Sequence, residues 1–299
     1  MNGQASDLDG RIDKVAADRQ SGASDLLDEA IGILRDARAL GQLPPVARRL
    51  CLAQPSMASL WNAAAAALGA DQAADRFERF VQRLARARQA LSRFASECLA
   101  TDDRDGPLHL VTISMSRSVL TVVEAVRQRR PVGVACSESR PALEGRTLAS
   151  HLAATGVPVT VYGDAAIAHA LAGASAVVLG ADAISAGGFL NKSGSTMLAA
   201  AASQQGVPVY VAATRDKFVG ALLSTRLTIR EGDPSEVWDS PPPGMDVRNP
   251  YFELTPLDSV SAVISDLGVL GVGMVPDVCE AAADPAAVQR LLELVPLPR

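Results

Sequence analysis

The sequence predicts an α/β protein: an all-helical N-terminal domain, then a Rossmann-like, mostly parallel, doubly wound sheet. Two observations predict it. Up to about residue 100 the apolar side chains recur at helical spacing. After the Asp-Asp-Arg-Asp-Gly-Pro stretch at 102–107, short β-rich runs alternate with helical ones. Such alternation implies right-handed βαβ units and a parallel sheet.

Residues 1–18 are polar and read as a flexible tail. The helical domain is expected over 19–104. Its first helix covers 24–40, with Leu26, Leu27, Ala30, Ile31, Leu34 and Ala37 on one face, Ser24 as N-cap and Gly41 as stop. A second covers 55–68. A third runs from 71 to about 100, with Phe77, Phe80, Val81, Leu84, Ala87, Leu91 and Phe94 along one side. The α/β domain is expected over 105–299. Strands are predicted at 108–113, 132–137, 158–162, 176–179, 208–212 and 260–264, and helices at 118–128, 145–155, 164–171 and 196–205. Residues 232–256 read as a loop around three consecutive prolines, wrapping a sheet edge or a neighbouring subunit.

Composition narrows the function. The chain has 299 residues, 48% of them hydrophobic, enough for a substantial core. Its 33 acidic residues outnumber 28 basic ones, which argues against nucleic acid as a partner. Cys51, Cys98, Cys136 and Cys279 form no CxxC pair, and with only three histidines a metal site is not expected. The thiols read as buried and reduced, in a cytoplasmic protein. The N-terminus does not read as a signal peptide, and no apolar run approaches membrane-spanning length.

The most informative stretch is 180–195. Asp182 follows a short apolar strand, and Asn191 and Lys192 stand in a Gly-rich loop before a helix. Ligands of open α/β sheets bind beyond the carboxyl ends of strands, and anions favour helix N-termini. The other strand ends add Ser114, Ser116, Arg117, Glu138, Arg140 and Asp164, and a later loop adds Lys217. This rim suits a small phosphorylated ligand and acid–base work on it. Each residue also has a structural reading. Asp182 caps a turn, Lys192 is a solvated lysine, Arg117 pairs with Glu124, or Arg140 tethers its loop. For Asp164, capping its own helix is the preferred reading. No Gly-x-Ser-x-Gly elbow, P-loop or dinucleotide fingerprint occurs, and no cofactor is expected.

Several motifs together resemble one superfamily. They are Ser-Gly-Ala-Ser at 21–24, Thr-Ile-Ser-Met-Ser-Arg-Ser at 112–118 and Ser-Glu-Ser-Arg-Pro at 137–141 with Gly145. Further along come Gly-Val-Pro-Val-Thr at 156–160 with Asp164, Gly-Ala-Asp at 180–182 with Asn-Lys-Ser-Gly at 191–194, and Asp-Leu-Gly-Val-Leu at 266–270. In this order, over 19–280, they resemble the translation initiation factor 2B α/β/δ subunits and the aldose–ketose phosphate isomerases. The latter include ribose-1,5-bisphosphate isomerase and methylthioribose-1-phosphate isomerase. Residues 232–237 and 249–250 look most like the bisphosphate branch, and 116–118 and 266–270 like the initiation-factor α subunit.

The resemblance implies that Asp182 shuttles protons with a cysteine at the end of the first strand. It implies substrate contacts from Asn191, Lys192 and Lys217, and an N-terminal loop of Arg19, Ser21, Gly22 and Ala23 that closes over phosphate. It also implies a homodimer or hexamer. Three positions depart from the isomerase pattern. Ser114 stands where the cysteine is expected, and an alcohol does not ionise near neutral pH as a tuned thiol does. Gln54 replaces an arginine and Glu144 a glutamine, so the pocket is more negative by about two charges. Cys136, on the neighbouring strand, is not expected to substitute. Two functions stay open: an isomerase acting on a sugar phosphate, or a non-catalytic homologue that binds a sugar phosphate or nucleotide.

Overall fold

A computed structural model of the chain describes residues 2–18, 22–69, 73–100, 106–229 and 231–295. It opens with five helices: α1 (Asn2–Ala17), α2 (Ala23–Ala39), α3 (Leu43–Ala53), α4 (Ala58–Leu68) and α5 (Ala73–Leu99). The expectation of a flexible tail over the first 18 residues is corrected. Leu8, Ile12 and Val15 recur at helical spacing and are buried. Arg11 fastens α1 to α2 through Glu29 at 3.0 Å and Asp36 at 2.5 Å. α3 was not expected either; its prolines 44 and 45 sit in the first turn, where a missing N–H breaks no helical bond. α2 is capped by Gly22, with Ser24 inside the first turn.

The second half reads β1 (Leu108–Thr112), α6 (Arg117–Arg127), β2 (Val132–Ser137), α7 (Glu144–Ala154), β3 (Val159–Tyr162), then a 3-10 helix, Asp164–Leu171. It continues with β4 (Ala176–Leu179), β5 (Ala183–Ser185), β6 (Gly188–Lys192), α8 (Ser195–Gln204), β7 (Val209–Ala212) and α9 (Ala221–Ser224). It closes with β8 (Phe252–Thr255), β9 (Ala262–Ser265), β10 (Gly268–Leu270), α10 (Val275–Glu280) and α11 (Pro285–Leu294).

Seven strands form the main sheet in the order β10-β9-β7-β4-β1-β2-β3, parallel except for β10. The chain winds outward from β1 to β3, then returns to β4 on the other side of β1. The winding direction therefore reverses between β1 and β4, and the crevice beyond their carboxyl ends is the expected ligand position. Both faces of the sheet are covered at its centre, which is why β4 and β7 are apolar runs, while the edge strand β3 is partly exposed. Leu110, Val134, Ala176 and Val178 pack under α6, α7 and the end of α5. Val111, Val177, Leu179 and Val211 pack under α8 and the Asp164–Leu171 turn on the other side.

A second sheet, β5-β6-β8, is antiparallel and was not expected. It moves Asn191 and Lys192 from a predicted loop onto strand β6, and makes part of the 232–256 loop a strand. Ala183 and Leu190 of this sheet join the core of α1–α5, as does α11 from the far end of the chain. The small sheet and α11 thus fasten the helical layer over the carboxyl end of the main sheet.

Candidate functional site

The cleft lies at the crevice between β1 and β4, roofed by the helical layer. Its lining includes Ser114, Ser116, Glu144, Asp182, Asn191, Lys192 and Lys217.

Ser114 leaves β1 with φ 60°, and its N–H donates to Ser139 Oγ at 2.8 Å. Ser139 is held in turn by Asp164, whose carboxylate accepts from the N–H groups of Ser139 at 2.7 Å and Arg140 at 2.8 Å. Asp164 therefore anchors this loop instead of capping its own helix, whose N-cap, Gly163, has no side chain to offer. The Arg140 backbone joins this anchor, while its side chain is exposed and is not part of the cleft lining.

Ser116 N-caps α6, its Oγ accepting from Val119 N–H at 3.4 Å. The cap stands hard against Gly180 at the end of β4, where an added Cβ would lie 2.5 Å from Ser116 Oγ. Arg117 does not pair with Glu124. It grips Asp25 and, at 3.1 Å, Asp28 on α2, while Glu124 faces Arg88. Arg117 thus clamps α6 to the helical layer.

The peptide groups of Asp182 are fixed on two sides. Its N–H donates to Leu190 O at 2.8 Å, and its carbonyl accepts from Ala58 N–H at the start of α4 at 3.0 Å. Burial pushes its carboxyl up to about 6; Lys217 opposes the rise, Glu144 adds to it, and Lys192 opposes it. A carboxyl titrating there can take or give a proton near neutral pH.

Lys192, 2% exposed, donates from Nζ to Glu144 Oε1 at 2.8 Å and stands 4.4 Å from the centre of the Tyr251 ring. Asn191 Nδ2 donates to Ser195 Oγ at 2.9 Å. Lys217, buried on the short turn Arg215–Lys217, has no ion-pair partner among the described residues. The helix N-terminus read from the sequence as a phosphate seat is already filled. Glu253 accepts from the N–H groups of Gly194 and Thr196 at the start of α8, at 2.9 and 2.8 Å. The start of α6, at Ser116 and Arg117, is among the helix starts that line the cleft.

Gln54 ends α3, and its amide donates to Val15 O at 2.7 Å and Asp18 O at 3.1 Å. In place of an arginine it supplies a neutral tether for the end of α1. Gly22 and Ala23 line the cleft at the start of α2; Arg19 and Ser21 lie outside the described residues. Cys136 is fully buried, its thiol pushed up to about 11 by burial, with Sγ 3.6 Å from Gly145 O. Sequence reasoning gave no role to Glu231, Gly232 and Tyr251, which also line the cleft. Tyr251 is held by its hydroxyl donating to Glu236 Oε2 at 2.6 Å. The signal was present, since both ends of this segment carry family-like motifs. Among the described residues, no cluster of three or more His, Cys, Asp or Glu side chains could hold a metal ion. No helix among them is long and apolar enough to cross a membrane.

A sheet of this strand order, with a polar cleft holding a carboxyl and two lysines beyond its carboxyl ends, defines a doubly wound α/β protein. The particular family follows from comparison: residues 15–271 match the Initiation factor 2 subunit family, and the chain belongs to it. An eIF-2B subunit 2-like protein of Pyrococcus abyssi is 32% identical over 249 residues, 82% of this chain and 84% of that one. The ribose 1,5-bisphosphate isomerase of Haloferax volcanii is 31% identical over 273 residues, 83% of each chain. The methylthioribose-1-phosphate isomerase of Heliobacterium modesticaldum is 37% identical over 170 residues, 54% of this chain and 49% of that one. Among solved structures, the Pyrococcus horikoshii OT3 translation initiation factor eIF-2B superposes with a TM-score of 0.76 at 26% identity, covering 88% of this chain and 96% of that one. A chain of the tetrameric eIF2B-beta2-delta2 complex of C. thermophilum shares the fold, with a TM-score of 0.69 at 18% identity over 93% and 95% of the two chains.

Proposed function

We propose that the cleft binds a phosphorylated sugar and interconverts its aldose and ketose forms, with Asp182 as the proton-transfer group. The observation that carries this reading is the Asp182 carboxyl, raised to about 6 at the point where the sheet reverses, within the electrostatic reach of Lys217. In the reaction C2 loses its carbon-bound hydrogen and its hydroxyl proton and becomes a carbonyl carbon, while C1 gains a hydrogen and its carbonyl oxygen, or the ring oxygen released from it, gains a proton. The electron pair moves between the two carbons, so no external oxidant is needed. Ionised Asp182 takes the proton from carbon and its protonated form returns one. Lys217 and the α6 N-terminus hold phosphate, and Ser114 orients a substrate hydroxyl. Relatives bearing the names of two sugar-phosphate isomerases support the substrate class.

One observation favours a second reading. Ser114 offers an alcohol at the position where the family pattern has a thiol, and Cys136 is turned into the core. A protein that binds the sugar phosphate without turning it over fits that substitution. We also propose that the chain self-associates, on apolar side chains left exposed at the β10 edge.

Proton and phosphorus NMR of the protein with a panel of aldose phosphates decides between the two. Ketose signals that vanish in Asp182→Asn, with a kcat/KM limb near the Asp182 pKa, are the expected result. Line broadening without turnover establishes the binder, and full activity in Asp182→Asn removes Asp182 from the mechanism.

A further inference from the structure

We propose that the cleft selects a ligand carrying a single phosphate and a hydrogen-bond donor such as a hydroxyl or ammonium, with Glu144 setting that choice. The inference rests on the sugar-phosphate reading of the site. It follows from which charges of the cleft are already engaged.

Among the described residues, the cations lining the cleft are Arg117, Lys192 and Lys217. Arg117 is held by Asp25 and Asp28, and Lys192 by Glu144 at 2.8 Å. Lys217 alone of these has no ion-pair partner. Gln54 cannot stand in as a clamp, because its amide donates to two carbonyls of the α1 end. One lysine without an ion pair, in a cleft that the start of α6 also lines, matches one phosphate.

A second requirement comes from Glu144. Its Oε1 accepts from Lys192, and its Oε2 is buried without a hydrogen-bond partner. A buried carboxylate oxygen left unsatisfied costs free energy that a donor on the ligand would recover. A second phosphate brought to Glu144 would meet a carboxylate whose ammonium neighbour, Lys192, is already paired to it. Like charges in so enclosed a site repel strongly. Glu144 therefore excludes a second phosphate and welcomes a donor.

Calorimetric titration of the full chain with ribose 1-phosphate, ribose 5-phosphate and ribose 1,5-bisphosphate tests this, and using both monophosphates makes the result independent of ligand orientation. The wild-type protein should bind the better monophosphate about tenfold or more tightly than the bisphosphate. Glu144→Gln should raise bisphosphate affinity about tenfold and erase the preference, because Lys192 is then free to meet phosphate. A bisphosphate bound as tightly as either monophosphate by wild type, or a preference unchanged in Glu144→Gln, overturns the inference and leaves the sugar-phosphate reading standing. Failure of all three ligands to bind overturns that reading and the inference together. The wild-type ratio decides the matter should the variant not fold.

Discussion

Asp182 makes the cost of the site measurable. The unfolded chain ionises this carboxyl near the ordinary value of 3.8, while the folded protein keeps its proton to about 6. Between those values the folded state binds more protons, so this group's contribution to stability falls as pH rises through that window. Above it the penalty is full, up to about 3 kcal/mol for a shift of roughly two units. Asp182→Asn cannot ionise and escapes the penalty. Urea unfolding should therefore show the variant gaining on wild type by about 1–3 kcal/mol between about pH 4 and about pH 8. A pH-independent difference would mean that the carboxyl is not strained by burial. At this scale the sequence showed a good deal. Ser114 and Asp182 sit just past runs of apolar residues, and that is enough to place them on one rim. The pairing of Lys192 with Glu144 was invisible, because the partners are 48 positions apart and no local pattern links them. Arg117 misled for the same reason: its helix offered Glu124 two turns away, and the tertiary partners on α2 won.

The elements divide by how they are buried. The strands at the centre of the main sheet are covered on both faces, so their sequences are unbroken apolar runs that announce themselves. Strands β5, β6, β8 and β10 are only three to five residues long, and β6, β8 and β10 carry Gly, Asn, Lys or Glu, so no period could be read from them. α1 was missed because three buried side chains in a polar stretch look like a tail until α2 and α3 are there to receive them. The loop between β2 and α7 shows how tightly an element can fix a site residue. Gly145, one position after Glu144, lies so close to the end of β2 that an added Cβ would overlap the carbonyl oxygen of Ser137. That oxygen belongs to backbone and cannot swing aside. Gly145→Ala should cost about 3 kcal/mol or more in chemical denaturation and should displace Glu144 from Lys192. An unchanged midpoint would show that the loop is free to move, and with it the charge that faces the cleft.

For the whole molecule the open question is what covers the β10 edge. The structure divides the apolar stretch 260–274. Val263 and Ile264 lie on β9 inside the sheet, fully buried, so they cannot meet a partner. Leu267, Val269 and Met274 remain outside, 41%, 42% and 54% exposed, around a short antiparallel edge strand. An unpaired strand edge flanked by apolar side chains is a template for association unless charge or proline protects it, and β10 is Gly-Val-Leu. Association through this edge would bury the three side chains without disturbing the cleft, which opens between β1 and β4 in the middle of the sheet. Light scattering of the purified protein should therefore report a dimer or a larger closed assembly. Replacing Leu267 with Asp and Val269 with Lys should yield a monomer with the circular dichroism of the parent, because neither side chain enters the core. A wild-type monomer at micromolar concentration would overturn the proposal. An assembly that survives both substitutions would move the interface elsewhere, with exposed Trp238 and Met245 as the next surface to alter.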